Sequence, residues 1–470
     1  MKVEQIYTGC LAQGAYYIES NGEAAIIDPL RETQPYLDKA TKENSKIKYI
    51  FETHFHADFV SGHVSLAEKT GAQIIFGPTA QTTYESLSGK DNQEFKLGNV
   101  TIKLLHTPGH TQESSSYLLI DENGKEHALF SGDTLFIGDV GRPDLAVKSD
   151  LTVNDLASML FDSLRKKIMP LTDDLIVYPA HGAGSACGKN MSKERFDSLG
   201  NQKKTNYALK EDMTREEFVK EVTTGLATPP QYFGGNVKMN KEGYEDIDEV
   251  LKRGTVALKP DLFEDLVNTQ GALMLDARAP QTFKDGFIPN SINIGVDGNF
   301  APWVGALILD LKQPIVVITE KGGEEEVVTR LSRVGYDNTL GYLEGGVDSW
   351  KKANKEIDNI KSISAQQFEE NLKGNITVLD ARKESEFFAE HIDGNNIINF
   401  PLDFVNEKYN ELDKNQEYYI HCAGGYRSMI TSSILKARGF DKLIEVAGGF
   451  SKIRETNIKL TAYVCPTTML

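Results

Sequence analysis

The segment Thr53-His54-Phe55-His56-Ala57-Asp58-Phe59 places two histidines and an aspartate within five positions. It follows the β-rich run Ile47-Lys48-Tyr49-Ile50-Phe51. In an extended chain His54 and Asp58 would stand roughly 13 Å apart, too far to share one ion. If Glu52-Thr53 end the strand and the chain turns, the side chains converge on a point where a metal ion can be held. The competing account is a chance cluster of surface histidines. Three later segments weigh against it: Thr107-Pro108-Gly109-His110-Thr111, Ser131-Gly132-Asp133-Thr134-Leu135-Phe136 and Tyr178-Pro179-Ala180-His181-Gly182. Each follows an apolar, β-rich run, at 100–105, 128–130 and 175–177, and each supplies one His or Asp in the turn after it. Four strand ends that all offer ligand-type side chains describe a site assembled on the rim of a sheet.

A second centre lies far along the chain. The strand Tyr418-Tyr419-Ile420 leads into His421-Cys422-Ala423-Gly424-Gly425-Tyr426-Arg427-Ser428 and then a helix over 429–438. A cysteine between a strand and a helix N-terminus sits among inward-pointing backbone N–H groups, which stabilise a thiolate and afterwards a terminal persulfide. Gly424 and Gly425 let the loop close around the sulfur. Arg427 can hold the loop carbonyls or bind an anion such as thiosulfate or sulfite.

The elements that carry this loop occur twice. Ala272-Leu273-Met274-Leu275-Asp276-Ala277-Arg278 returns as Ile376-Thr377-Val378-Leu379-Asp380-Ala381-Arg382, an offset of 380 − 276 = 104 residues. Leu343-Glu344-Gly345-Gly346 returns as Val446-Ala447-Gly448-Gly449. So long a period is a duplicated domain rather than a solenoid. Each copy alternates short apolar strands with helical stretches, as a parallel sheet covered by helices requires. In the first copy the matching place reads Ile318-Thr319-Glu320-Lys321-Gly322-Gly323 and has no cysteine; Glu320 is expected where the nucleophile would be.

The chain has 470 residues, too many for one core, and its net charge of −17 argues against nucleic acid or an anionic membrane as a partner. No apolar segment follows Met1-Lys2-Val3-Glu4 as a signal peptide would, and no run is long enough to span a bilayer. Four scattered cysteines suit a reducing cytosol, so a cytoplasmic location is expected. Residues 206–254 include Thr228-Pro229-Pro230-Gln231-Tyr232-Phe233, whose aromatic rings need burial; an extension packed on the first domain is expected there. The expected domains are 1–250, 255–355 and 356–470.

The order of the four ligand-bearing turns resembles the metallo-β-lactamase fold, an αββα sandwich over roughly the first half of the chain. Both repeats resemble rhodanese domains, and the six-residue loop from Cys422 to Arg427 resembles that of sulfurtransferases. The fold class is therefore α/β multidomain: the sandwich followed by two rhodanese-like α/β domains. In dinuclear zinc members of the superfamily the first motif ends in a histidine, where this chain has Phe59. That substitution implies one metal, with His56, Asp58 and His181 left as outer or substrate-orienting groups. The whole chain resembles bacterial fusions of a persulfide dioxygenase with an inactive and an active rhodanese. Carried over by motif, the Fe(II) ligands fall on His54, His110 and Asp133, one iron per chain. Gly141-Arg142-Pro143-Asp144 resembles a Gly-Arg-x-Asp segment of the same family, although an ordinary turn would read alike. Cys187 lies six residues beyond His181. It is either a thiol near the rim, open to a mixed disulfide or a persulfide, or a small buried residue in a Gly-rich turn.

The resemblance implies oxidation of a small-molecule persulfide by dioxygen to sulfite and a thiol. Cys422 would use sulfite or thiosulfate in sulfur transfer, and the outcome would be sulfide detoxification. Self-association into a homo-oligomer is compatible with this reading. The alternatives are a zinc thioesterase resembling glyoxalase II beside an independent sulfurtransferase, and a non-catalytic persulfide carrier or sensor.

Overall fold

The computed structural model describes residues 1–145, 151–226 and 229–465. The chain forms two compact units, Met1–Ile247 with Ser332–Gly335, and Asp248–Leu331 with Tyr336–Leu470.

In the first unit two six-stranded sheets lie face to face. One runs Lys2–Thr8, Gln13–Ser20, Glu23–Ile27, Lys46–Phe51, Gln73–Phe76, Leu87–Ser88; the other runs Asp197–Ser198, Ile176–Pro179, Glu126–Gly132, Ser115–Ile120, Val100–His106, Glu94–Leu97. Alternation along the strands gives each sheet one face for the other. The inner layer gathers Tyr16, Ile18 and Phe51 with Phe95, Tyr117 and Phe130. The outer face of the first sheet is covered by the helices Gln34–Lys42 and His63–Thr70, through Tyr36, Ala40 and Leu66. That of the second is covered by Val153–Ser163 and Arg215–Thr223, whose Leu160, Phe218 and Val222 bury with Leu129 and Val177. The latter helix belongs to the 206–254 stretch; Tyr232 and Phe233 are buried too.

The second unit contains two five-stranded sheets in which every strand pair is parallel. The first runs Ala257–Leu258, Thr339–Leu343, Ile315–Ile318, Leu273–Asp276, Ile292–Asn293; the second runs Lys361–Ile363, Leu443–Val446, Tyr418–His421, Thr377–Asp380, Ile397–Asn399. The same strand order in both is what a duplication predicts. The repeated Asp-Ala-Arg has the same geometry in each copy. Arg278 makes a forked pair with Asp276 and Arg382 with Asp380, the Nε bonds being 2.9 Å in both. A two-residue spacing closes this fork at the strand end and offsets the burial of the carboxylate. Among the described residues no helix is long and apolar enough to cross a membrane.

Candidate metal centre and cysteine loop

The strand Lys46–Phe51 ends where Asp28, at the end of the neighbouring strand Glu23–Ile27, accepts from the Thr53 backbone N–H (2.8 Å) and from Thr53 Oγ1 (2.9 Å). This pair turns the chain, and His54 follows. Thr53 Oγ1 spends its proton on Asp28, so at 3.0 Å from His54 Nδ1 it acts as the acceptor. His54 therefore carries its proton on Nδ1 and directs the Nε2 lone pair toward Asp133, 3.8 Å away. His110 behaves alike. Its Nδ1–H donates to the Arg142 carbonyl (2.8 Å), and its Nε2 faces the same Asp133 oxygen at 3.4 Å. Burial, reinforced by His56, His110 and His181, pushes the His54 pKa well down, which favours the neutral, ligating form.

His54, His110 and Asp133 are all buried, and their ligand atoms lie within 4.8 Å of one another. Neither carboxylate oxygen of Asp133 has a hydrogen-bond partner among the described residues. A buried carboxylate without donors, faced by imidazole nitrogens, is unfavourable unless a cation sits between them. The donor set thus fits a divalent metal, with one face left for other ligands. Close packing at Gly141 holds the arrangement; a Cβ there would stand 2.0 Å from the Asp133 carbonyl oxygen and 3.0 Å from His110 Nδ1.

The remaining histidines and acids gather beside this triad. His56, Asp58 and His181 form a second buried group, and Asp133, His181 and Cys187 a third. His181 Nε2 lies 3.5 Å from Asp58 Oδ2 and 3.7 Å from Asp133 Oδ1. Phe59 is fully buried with its ring 4.3 Å from that of His56, so this position presents only apolar carbon to the group. His56 Nε2 also faces Asp28 Oδ1 at 3.2 Å and Glu52 Oε2 at 3.6 Å. Burial opposes its protonation, but these acids outweigh burial and push its pKa up to about 9.

Cys187 and Arg142 both reach the site. Cys187 reaches the rim as a buried residue, and burial, Asp58 and Asp133 drive its thiol pKa well up. A raised pKa disfavours the thiolate on which mixed-disulfide chemistry depends. Arg142 forks onto Asp144 (2.7 and 2.6 Å), and its backbone reaches the site: its carbonyl orients His110, and its N–H donates to the Cys187 carbonyl (3.0 Å).

Asp28 and Asn240 were not anticipated. Asp28 had a signal, since it ends an apolar strand as the other site residues do. Asn240 had none. From the helix Phe233–Glu242, its side chain donates to the carbonyls of His56 and Phe59 and accepts from the Ser61 N–H, each at 2.8 Å. It closes the turn that carries His56, Asp58 and Phe59.

In the second unit Cys422 follows the strand Tyr418–His421, and the Gly425 N–H donates to its sulfur at 3.1 Å. Gly425 has φ +107°, open to glycine, and caps the helix Tyr426–Ala437, whose N-terminal dipole favours negative charge on sulfur. The repeated Gly-Gly lies against this loop. A Cβ on Gly449 would stand 2.3 Å from the Cys422 carbonyl oxygen, which instead accepts from the Phe450 N–H (2.6 Å). Arg427 does not hold the loop carbonyls. Its guanidinium forks onto Glu386 at 2.6 and 2.8 Å, because the helix Glu384–Ala389 presents a carboxylate to it.

The first copy also differs from expectation. Ile318 pairs with Asp276 as His421 pairs with Asp380, and Gly322 has positive φ as Gly425 does. Thr319 therefore stands where Cys422 stands, rather than Glu320, and Glu324 takes the place of Arg427. A hydroxyl in place of the thiol and a carboxylate in place of the cation leave no means of holding sulfane sulfur. After incubation of the full chain with thiosulfate, peptide mass spectrometry should find added sulfur on Cys422 and none on any peptide from 255–355. Sulfur on the first copy would overturn its assignment as inactive.

The Metallo-beta-lactamase superfamily pattern matches residues 8–181, and the Rhodanese-like domain pattern matches twice, at 259–353 and 364–456. A solved metallo-beta-lactamase from Staphylococcus aureus subsp. aureus COL is 31% identical with a TM-score of 0.64, over 73% of this chain and 98% of that one. This chain belongs to the metallo-β-lactamase superfamily. Its superfamily domain is followed by two rhodanese-like domains, so the protein joins a metal-binding enzyme fold to a sulfurtransferase fold. Other superfamily relatives match over shorter spans. A probable hydroxyacylglutathione hydrolase of Schizosaccharomyces pombe is 31% identical over 35% of this chain and 60% of its own length. The human protein named persulfide dioxygenase ETHE1, mitochondrial, is 29% identical over 37% of this chain and 64% of its own length. The chain spans 53–60% of the length of the first three curated relatives that it matches.

Proposed function

We propose that the protein oxidises a low-molecular-weight persulfide to sulfite and a thiol at one ferrous site, and moves sulfane sulfur through Cys422. The observation that carries this reading is the His54–His110–Asp133 triad, with Phe59 presenting only apolar carbon to the neighbouring group. Two imidazoles and one carboxylate with open positions suit non-haem Fe(II) oxygen chemistry. Bound there, iron supplies the redox chemistry by which both atoms of dioxygen are added to the outer sulfur. The protein's own residues fix the donors. Thr53 and the Arg142 carbonyl set the two histidine tautomers, and Gly141 keeps His110 against Asp133. Hydrolysis of the oxidised S–S unit consumes one water and releases sulfite and the thiol. At the second site the sulfur–sulfur bond of a Cys422 persulfide breaks as sulfite takes the outer sulfur. The products are thiosulfate and the Cys422 thiolate, which the Gly425 N–H and the helix N-terminus favour.

The competing reading is a zinc thioesterase beside an independent sulfurtransferase; the S. pombe relative is named as a probable hydroxyacylglutathione hydrolase. That reading needs a second ion, to which His56, Asp58 and His181 offer three donors and Phe59 offers none. Purified chain should contain close to one iron, consume oxygen when given a glutathione or coenzyme A persulfide, and release sulfite. Two zinc ions per active chain with thioester hydrolysis would sink the proposal.

A further inference from the structure

Within the second unit, one face of the helix behind Cys422 is committed to the inactive copy. Tyr426, Met429 and Ser433 recur at helical spacing along Tyr426–Ala437. The Tyr426 hydroxyl donates to the Gly295 carbonyl at 2.7 Å. Met429 buries with Phe283, Phe287 and Ile360. Ser433 Oγ accepts from the Asn293 N–H at 2.9 Å, and Asn293 itself donates to the carbonyls of Asp276 and Arg278.

The aromatic ring at the head of this face lies in a cradle of glycines. A Cβ on Gly298 would stand 2.3 Å from two ring carbons of Tyr426, and one on Gly295 would lie 3.4 Å away. Gly298 has no left-handed φ, so space alone requires glycine there. The cradle and the ring are specialised to opposite copies. By the Gly322–Gly425 match, Gly323 replaces Tyr426 in the first copy. Asn399 donates to the Asp380 and Arg382 carbonyls as Asn293 does to its own pair, which puts Phe404 where the first copy has Gly298. The active copy supplies the ring and the inactive copy the hole.

Tyr426 sits between the two groups that define the loop. The residue before it, Gly425, points its N–H at the Cys422 sulfur, and the residue after it, Arg427, is pinned by Glu386. We infer that Tyr426 is a positioning residue, through which the inactive rhodanese-like copy holds the sulfur-transfer loop of the active copy in its working shape. This rests on the proposed role of Cys422 as the sulfur carrier. The first copy then acts as the outer wall of the second copy's site, which gives its loss of a nucleophile no functional cost.

The test uses the full-length, iron-loaded chain and a double-mutant cycle of Gly298→Ala and Tyr426→Ala, with Tyr426→Phe as the mild variant. Each variant is assayed for thiosulfate-dependent sulfur transfer, for the pH profile of Cys422 alkylation by iodoacetamide, for oxygen uptake and for melting temperature. Gly298→Ala and Tyr426→Ala should each lower kcat for transfer roughly 10–100-fold, the range expected when a reacting group moves by about 1 Å. Both should shift the alkylation profile to higher pH, because the Gly425 N–H no longer faces sulfur. Oxygen uptake should be unchanged. The double variant should be no worse than Tyr426→Ala, since without the ring the added methyl meets nothing. Tyr426→Phe, which loses a single hydrogen bond, should shift the profile less, in the same direction. Folded single variants with wild-type transfer and alkylation profiles would overturn the inference, as would multiplicative losses in the double variant. If a Cys422→Ser chain kept wild-type transfer, the role of Cys422 would fall instead, while the alkylation profiles would still judge Tyr426.

Discussion

Asp133→Ala and His110→Ala chains should each be purified nearly free of iron and should consume no oxygen with a persulfide. The two histidines present Nε2 atoms to a carboxylate that has no hydrogen-bond partner among the described residues. Removing the carboxylate deletes the one negative charge of the triad, and removing His110 leaves His54 as the only triad histidine facing the buried anion. The loss should exceed the ~10–100-fold typical of changes outside the ligand set. Thr53→Val offers the comparison within that range. It keeps all three ligands but frees the His54 tautomer, and should weaken iron binding without abolishing it. Metal analysis and oxygen uptake on the same preparations decide the matter. An Asp133→Ala chain that retained stoichiometric iron and activity would remove the triad from consideration.

Cys422→Ser should reduce sulfur transfer between thiosulfate and a thiol to background while leaving oxygen uptake with added persulfide largely intact. A hydroxyl in the same cradle cannot form a persulfide at neutral pH, and the residue belongs to the second compact unit. Persulfide labelling with thiosulfate should vanish together with transfer. If the variant lost oxygen uptake while keeping its iron, the two chemistries would depend on one another and the division of labour would be wrong.

Much of this architecture was legible because chemistry-bearing residues occupy strand ends, and strand ends can be read from apolar runs. His54, His110, Asp133 and His181 all follow such runs, and the sandwich brings them to one rim. The duplication was legible from Asp-Ala-Arg, whose two-residue spacing closes the same fork in each copy. Register was harder. Nothing in Ile318-Thr319-Glu320 marks where the strand stops; the pairing of Ile318 with Asp276 is needed to assign Thr319 to the nucleophile position. Partners distant in the chain were harder still. Arg427 advertises a cation, but the carboxylate that captures it lies 41 residues earlier. Asp28 carried the same strand-end pattern as the ligands and was within reach of the sequence.

Asn240 has a consequence for how the chain is made. The turn holding His56 and Phe59 is closed by an amide 184 residues further on from His56. During synthesis the ligands His54, His110 and Asp133 all leave the ribosome well before that amide. The nascent chain therefore has its donors long before it has the brace that sets one of their turns. Closure of so long a loop belongs to the late, non-local stage of folding. Until the helix Phe233–Glu242 docks, the turn beside the candidate metal site lacks its brace.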